Sequence, residues 1–407
     1  MNKKVMAIAV AGVLAAPASV ALAQTSTVQI GGSITAFYYR HQPKNSTTGQ
    51  STDIMETSEP EIYVRGEEKL GGGLSAWFQC TSSLDGLING SAAASAAGWC
   101  GRNSGIGFKG SFGNLFLGNW DQPQKLVFNR GRQWWGGTNS LSGGSARLLD
   151  GGSASGLTNP TLGTGQNTFF RRQARSWNYH SPSWNGFQVQ AGFSSGTEGT
   201  GIPEANTLSP RMWSLAGHYT SGPLYISAGY EQHQDYNPGA VAAPGTVGSA
   251  YSGGDDNNWT LVAGYRFGAF NVRGAYSRSE YDVTNTTNMK VDGWGLWADW
   301  AIQGPHTLRF QYASVDDTEG NSLTTVGIYR PTAAATCGPT SATSCASSTG
   351  GKLWSFAYSY AFSKRTEGSF VYTKMDNDLG GVHTFGKVAA TAGNSQTGMG
   401  IVLKHRF

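Results

Sequence analysis

Hydrophobic and polar residues alternate one by one along many short stretches of the chain. In residues 352–362, Trp354, Phe356, Tyr358, Tyr360 and Phe362 share one face, while mostly small or polar residues share the other. A period of two residues is that of a β-strand whose two faces meet different surroundings. The stretches run to about ten residues, longer than the roughly five or six usual in soluble sheets. This length favours a membrane-spanning barrel over a soluble β-sandwich.

The same alternation predicts sixteen strands joined in turn by short turns and long polar loops, with Gly268-Ala269 as the clearest tight turn. Outer-membrane barrels show this asymmetry, because their short turns lie in the periplasm and their long loops lie outside. The predicted fold class is all-β, a 16-stranded antiparallel transmembrane β-barrel. The predicted strands cover residues 28–40, 59–68, 73–82, 102–110, 114–119, 171–181, 186–195, 211–220, 223–233, 258–267, 270–280, 291–301, 306–316, 351–362, 367–377 and 397–407.

The longest interruption of this pattern runs from about residue 119 to residue 169 and is rich in Gly and Ser. A structureless loop this long is uncommon in a compact domain unless it has a functional task. We interpret it as an inward-folded constriction loop that narrows a pore. Its charged and aromatic side chains are candidate constriction residues: Asp121, Lys125, Arg130, Arg132, Trp134, Trp135, Arg147 and Asp150.

Between Asp121 and Asp150 this loop carries four cationic residues and two anionic ones. In a confined channel, such an excess focuses the electric field and raises the local concentration of the opposite ion, so it predicts an anion preference. In the alternative interpretation, the arginines pair with the two carboxylates and with backbone carbonyls and only hold the loop to the wall. Trp134 and Trp135 either anchor the loop or form an aromatic lip that binds flat organic anions.

The composition fits an exported membrane protein. Residues 1–23 combine a basic start, a short apolar run and an Ala-x-Ala end, the pattern of a secretory signal peptide and not of a membrane anchor. The predicted barrel is then 24–407. Only 13% of residues are charged, against about 25% in typical soluble domains. The net charge is only +4 and no basic stripe is visible, so no nucleic-acid partner is expected.

Four cysteines form an even set in this exported chain. Two loop disulfides are the expected use, and proximity favours Cys80 with Cys100 and Cys337 with Cys345, although three pairings can be drawn. A zinc site is the alternative, but no histidine lies near either pair at ligand spacing. Neither a metal nor a cofactor is predicted.

Several motifs resemble those of Gram-negative general porins, particularly of the β-proteobacterial type. Their second and third strands are similar to residues 61–79, EIYVRGEEKLGGGLSAWFQ, and their fourth and fifth strands to residues 102–118. Residues 177–187 look like the sixth and seventh strands, and the ending Lys404-His405-Arg406-Phe407 is similar to the last strand of these barrels. In this order the motifs span the chain that follows the predicted signal peptide.

The resemblance implies a trimer whose third loop forms an eyelet facing arginines on the barrel wall. Arg102 and Arg172 stand where the family places two of these arginines, whereas the third wall position is Glu61. Gly136-Gly137 matches the turn at the loop tip, and Trp134-Trp135 occupies a position that often carries an acid. Both Glu61 and the Trp pair depart from the family's arrangement of arginines against acids.

Together these patterns predict a porin in the outer membrane of a Gram-negative bacterium, where small hydrophilic solutes and ions diffuse passively through a water-filled channel. Its expected partners are identical subunits in a homotrimer, outer-membrane lipid and lipopolysaccharide, and small anionic or neutral solutes. A channel specific for organic anions is the alternative. An outer-membrane lipase or protease is disfavoured because no spacing assigns a Ser-His-Asp triad. The chain is therefore not expected to be an enzyme.

Overall fold

Sixteen antiparallel strands form the wall of a closed barrel in the computed structural model, which describes residues 27–44, 50–89, 98–131, 158–159, 163–164, 169–195, 211–234, 255–284, 286–322, 326, 329, 348–385 and 392–407. The fold class and the strand count are as predicted. The described residues also form helices α1 (Gly86–Asn89) and α2 (Pro123–Gly131). The wall strands are β1 (Thr27–Lys44), β2 (Glu61–Gly71), β3 (Leu74–Ser83), β4 (Ser104–Gly110), β5 (Gly113–Asp121), β6 (Arg172–His180), β7 (Phe187–Ser194), β8 (Arg211–Ser221), β9 (Leu224–Gln234), β10 (Asp256–Phe267), β11 (Phe270–Thr284), β12 (Thr287–Ala301), β13 (His306–Val315), β14 (Gly351–Ala361), β15 (Thr366–Asn377) and β16 (Ser395–Arg406).

Pairing between β1 and β16 closes the sheet. The two strands run antiparallel, in register from Ser33 opposite Arg406 to Lys44 opposite Ser395. The other edge of β1 pairs with β2 over residues 27–33. Closure gives both edges of the sheet a partner, and a closed ladder is what lets strands cross a bilayer that offers no hydrogen bonds.

The alternation of residue types separates the two faces of the wall. In β14, Phe356 is 41% exposed on the outside, whereas its neighbours Ser355 and Ala357 are fully buried on the lumen side. Small polar side chains inside form hydrogen-bonded ladders across strands, as Gln311, Ser355 and Thr373 do. Aromatic and aliphatic side chains therefore face lipid, while the inner face is polar.

At the long-loop end the sheet extends farther than the sequence predicts. β11 and β12 continue until Thr284 pairs with Thr287, where the sequence predicts a longer polar loop. The short strand Thr52–Thr57 pairs with β1 and prolongs β2 beyond a break at residues 58–60. Pro60 has no N–H to donate, and Glu59 has a φ of 50°, so the ladder is interrupted there. Another short strand, Glu319–Gly320, pairs with β12.

Loops cover the lumen side at the long-loop end. Phe169, Tyr329 and Phe385 come from three different connections, and each packs into one buried cluster with inward-facing residues of the wall such as Leu353 and Met375. A two-stranded ribbon, Thr158–Asn159 with Gly163–Thr164, lies within the predicted constriction loop. Among the described residues, no helix is both long and apolar enough to cross a membrane.

Candidate channel constriction

Asp121 is the centre of a buried charge cluster at the base of the constriction loop. It ends β5, directly opposite Arg172 at the start of β6, so the two strands that flank the loop meet here. Lys125 Nζ donates to Asp121 Oδ1 at 2.7 Å, and Arg172 lies 3.1 Å from the same oxygen. Asn103 Nδ2 donates to Oδ2 at 3.0 Å. This cluster, referred to below as the clamp, holds the base of the loop to the wall.

Burial sets the energetics of the cluster. Asp121 is 8% exposed and Lys125 is 7% exposed, so each ion needs the other. Burial lowers the pKa of the Lys125 ammonium, and the Asp121 carboxylate opposes that shift. Arg172 Nε also donates to Asn103 Oδ1, so Asn103 joins the arginine to the carboxylate. The structure therefore brings Asp121, Lys125 and Arg172 together as one network.

Arg102 and Glu61 form a second pair on the same wall. Arg102 Nε lies 3.2 Å from Glu61 Oε2, and its backbone N–H donates to the Thr81 carbonyl. A disulfide between Cys80 and Cys100 closes the loop just before Arg102, which confirms that predicted pairing. The disulfide and the backbone bond together hold Arg102 beside the cluster. Glu61, where the resemblance implies an arginine, neutralises Arg102.

Helix α2 carries the loop away from the clamp along the inner wall. Pro123 begins the helix at a position where its missing N–H costs nothing. The Gln124 N–H donates to Ser214 Oγ at 3.0 Å, and its side chain donates to Thr260 Oγ1 at 2.9 Å. A Cβ placed at Gly229 would lie 2.9 Å from Val127 Cγ2, so this glycine makes room for the helix. The described start of the loop thus lies on the lumen side.

The end of the loop is held on the inner wall as well. Phe169 stacks on His233 of β9 with ring centroids 4.6 Å apart. Phe170 packs against Phe128 of α2 at 6.0 Å. Aromatic contacts therefore bring the returning segment back to the helix before β6 begins.

The other predicted constriction residues lie elsewhere or outside the described residues. Arg130 is at the end of α2, where its carbonyl accepts a hydrogen bond from Tyr225 Oη and where burial lowers the pKa of its guanidinium. Arg130 is not among the described residues that line the recess around Arg102 and Arg172. The signal peptide 1–23 and the pair Cys337 and Cys345 lie outside the described residues, as do Arg132, Trp134, Trp135, Gly136, Gly137, Arg147 and Asp150.

Two charged residues that sequence reasoning missed join the site. A recess of about 230 Å³ is lined by the charged residues of the Asp121 cluster, by Arg102 and Glu61, and by Glu59 and Lys404. Glu59 sits at the break in the ladder before β2, and Lys404 lies on β16 opposite Thr35 of β1. The alternation at the end of the chain places Lys404 on the face opposite Leu403, which was the available signal. Four cations and three carboxylates line this recess, referred to below as the constriction recess.

Known proteins match the chain along its length. A model of the Gram-negative porin family matches residues 7–380. Outer membrane porin protein 32 of Delftia acidovorans is 25% identical over 420 residues, with 100% of both chains covered. The solved anion-selective porin from Comamonas acidovorans has a TM-score of 0.66 and 22% identity, over 94% of this chain and 100% of that chain. OmpT of Vibrio cholerae in its trimer form has a TM-score of 0.61 and 16% identity, over 94% and 100%.

These matches agree with the closed barrel of sixteen strands. Closure of sixteen strands and the family match confirm the predicted outer-membrane location. The relatives are porins, which confirms a channel for passive diffusion in place of an enzyme. Because the family model matches far more than half of the sequence, the chain belongs to the Gram-negative porin family.

Proposed function

We propose that this porin prefers anions over cations and that its narrowest part lies between the constriction recess and the loop that begins with α2. The single observation that carries the preference is the charge of the constriction recess, where four cations face three carboxylates. An uncompensated positive charge in a narrow, partly desolvated passage attracts anions and repels cations. The relative from Comamonas acidovorans, described as anion-selective, supports the same direction.

The contacts of α2 support the position of the constriction. The helix and the returning segment at Phe169 occupy the inner wall, so the loop between them starts and ends inside the barrel. The constriction recess lies on the part of the wall formed by β16, β1, β2 and the segments next to β4 and β6. Solutes passing the loop would therefore meet Arg102 and Lys404.

The test reverses the charge balance of the constriction recess. The double variant Arg102→Gln, Lys404→Gln leaves two cations against three carboxylates, so we expect the reversal potential in a KCl gradient to move toward cations. Neither substitution touches the buried clamp at Asp121. The matched control, Lys352→Gln with Lys374→Gln, removes the same net charge from the outward face of β14 and β15 and should leave selectivity unchanged. A cation-selective wild-type channel, or a double variant equal to the control, would overturn the proposal.

We also propose that the chain assembles as a homotrimer in outer-membrane lipid. The trimer form of the Vibrio cholerae relative, which shares the fold, supports this assembly. The exposed aromatic and aliphatic side chains of the outer face supply the surface for lipid and for neighbouring subunits. Chemical cross-linking of the detergent-purified protein should give bands up to three subunits and no larger. A single-subunit mass by light scattering in mild detergent would contradict the trimer.

A further inference from the structure

A second charged recess lies at the short-turn end of the lumen. It has a volume of about 640 Å³ and is lined by the ends of β10 to β16, including the turn at residues 362–365. Seven basic side chains line it, but only two carboxylates, Asp299 and Glu367. We refer to it as the mouth recess. Its charge excess is much larger than that of the constriction recess.

Both carboxylates are already bound by arginines. Arg309 holds Glu367 with two hydrogen bonds of 2.8 and 2.9 Å, and its Nε lies 3.6 Å from Asp299. Arg273 forms a salt bridge with the other oxygen of Asp299. These two arginines and two acids neutralise one another, so the remaining basic residues carry the net charge of the mouth recess.

Four of the remaining side chains are exposed: Arg266, Lys364, Arg365 and Arg406. None of the four forms a salt bridge with another described residue. Arg266 lies between the lipid-exposed Tyr265 and Phe267, so the pleat turns it inward. Three of the four are arginines, whose planar guanidinium groups bind carboxylates through two parallel hydrogen bonds.

We propose that the mouth recess is a binding site for small multivalent organic anions, such as di- and tricarboxylates, on the short-turn side of the channel. A single multivalent anion can meet several of these cations at once, whereas chloride or acetate meets one charge at a time. The volume is that of a small-molecule site, and the exposed Arg266, Lys364, Arg365 and Arg406 on its lining show that it is open to water. This site shares Lys404 with the constriction recess but none of its other lining residues. It predicts saturable, side-dependent occupancy beyond simple diffusion.

The test is single-channel recording of the full protein in a planar bilayer, with citrate added to one compartment and then to the other. Citrate should reduce the current from one side only, and the reduction should saturate. Acetate at matched ionic strength should not reproduce it. The triple variant Arg266→Gln, Arg365→Gln, Arg406→Gln should weaken the apparent citrate affinity roughly tenfold, because each exposed ion pair contributes a factor of about two to three.

A matched variant controls for net charge. Arg40→Gln, Arg211→Gln, Lys352→Gln removes three exposed cations near the long-loop ends of the strands and should leave citrate block unchanged. If the triple variant of the mouth recess forms no channels, Arg406→Gln alone should still weaken block about twofold. Equal block from both sides, block by acetate, or block unaltered in the mouth variants would overturn the site. The reversal potential in KCl tests the constriction separately, since the mouth variants leave Arg102 unchanged, and also Lys404, which lines both recesses.

Discussion

The two recesses of the lumen use the same residue types in different ways. In the constriction recess, acids and bases nearly balance, and the buried Asp121 and Lys125 are in direct contact, with the half-buried Arg172 beside them. In the mouth recess, bases greatly outnumber acids, and four of the seven bases, Arg266, Lys364, Arg365 and Arg406, are exposed. Balanced, buried charges build structure, because removing one partner leaves an expensive unpaired ion. Unbalanced, exposed charges contribute little stability but shape the potential that a solute meets.

The clamp should show the largest effect on stability. Asp121→Asn leaves Lys125 and Arg172 without their carboxylate, so we expect a loss of roughly 3 to 5 kcal/mol in the free energy of unfolding. Urea unfolding in detergent, followed by tryptophan fluorescence, measures it. The contrasting variant Glu367→Gln removes a partly exposed partner of Arg309 at the mouth and should cost about 1 kcal/mol or less. Equal losses in the two variants would remove the distinction between the recesses.

The disulfide beside Arg102 should have the next largest effect, but a local one. Replacing Cys80 and Cys100 by serine opens a loop of sequence separation 20, for which chain entropy gives about 3 kcal/mol. The loss should fall on residues 84–99, as faster protease cleavage there, while the channel still conducts. A conductance equal to wild type with unchanged cleavage would mean that the backbone bond from Arg102 to Thr81 suffices to hold the segment.

Disturbing the packing of helix α2 on the inner wall should have a smaller effect. It tests the position of the constriction loop without changing any charge. Gly229→Val places side-chain atoms where Val127 packs, so we expect a cost of roughly 1 to 3 kcal/mol and a noisier, altered conductance. Gly274→Val is the control, since a Cβ there meets only one backbone oxygen at 3.8 Å. Indistinguishable recordings from the two variants would show that α2 does not set the width of the channel.

Salt should produce the smallest change and should act unequally on the two recesses. At about 1 M salt the screening length falls to roughly 3 Å, so the effect of the exposed mouth cations on citrate block should largely disappear. The partly buried charges of the constriction are screened less, so part of the anion preference in KCl should persist. Reversal potentials and citrate block recorded over a salt series check this. If anion preference and citrate block fall equally as salt rises, the two recesses do not differ in how strongly salt screens them.

The wall could be predicted from sequence because lipid imposes a strict period of two. All sixteen wall strands overlap a predicted segment, and the pair Cys80 and Cys100 followed from proximity. The extension at Thr52–Thr57 and the continued pairing of β11 with β12 were missed. In β11 and β12 the apolar side chains there, such as Tyr281 and Met289, are buried on the inner face, the reverse of the lipid-facing pattern used for prediction. The apolar side chains there are covered by loops and not by lipid.

The candidate site was only partly predictable. Asp121, Lys125 and Arg172 were named, but their meeting depends on the pairing of β5 with β6 across a long loop. Helix α2 is short and follows Gly-rich strands, so its apolar residues show no clear helical period in the sequence. The helix instead packs on the inner wall of the barrel. Glu59 and Lys404 reach the constriction recess only because β1 pairs with both β2 and β16.

The pairing of β1 with β16 also has a consequence for biosynthesis. His41 and Gln396 are 355 residues apart in sequence, yet their side chains lie 3.1 Å apart at this seam. Contacts of such long range form late and slowly, so the fifteen earlier strands must remain competent to pair until the sixteenth arrives. Lys404 arrives with that last strand, so an unclosed intermediate lacks a cation of the constriction recess. The barrel therefore closes, and the constriction recess gains its last cation, in the same final step.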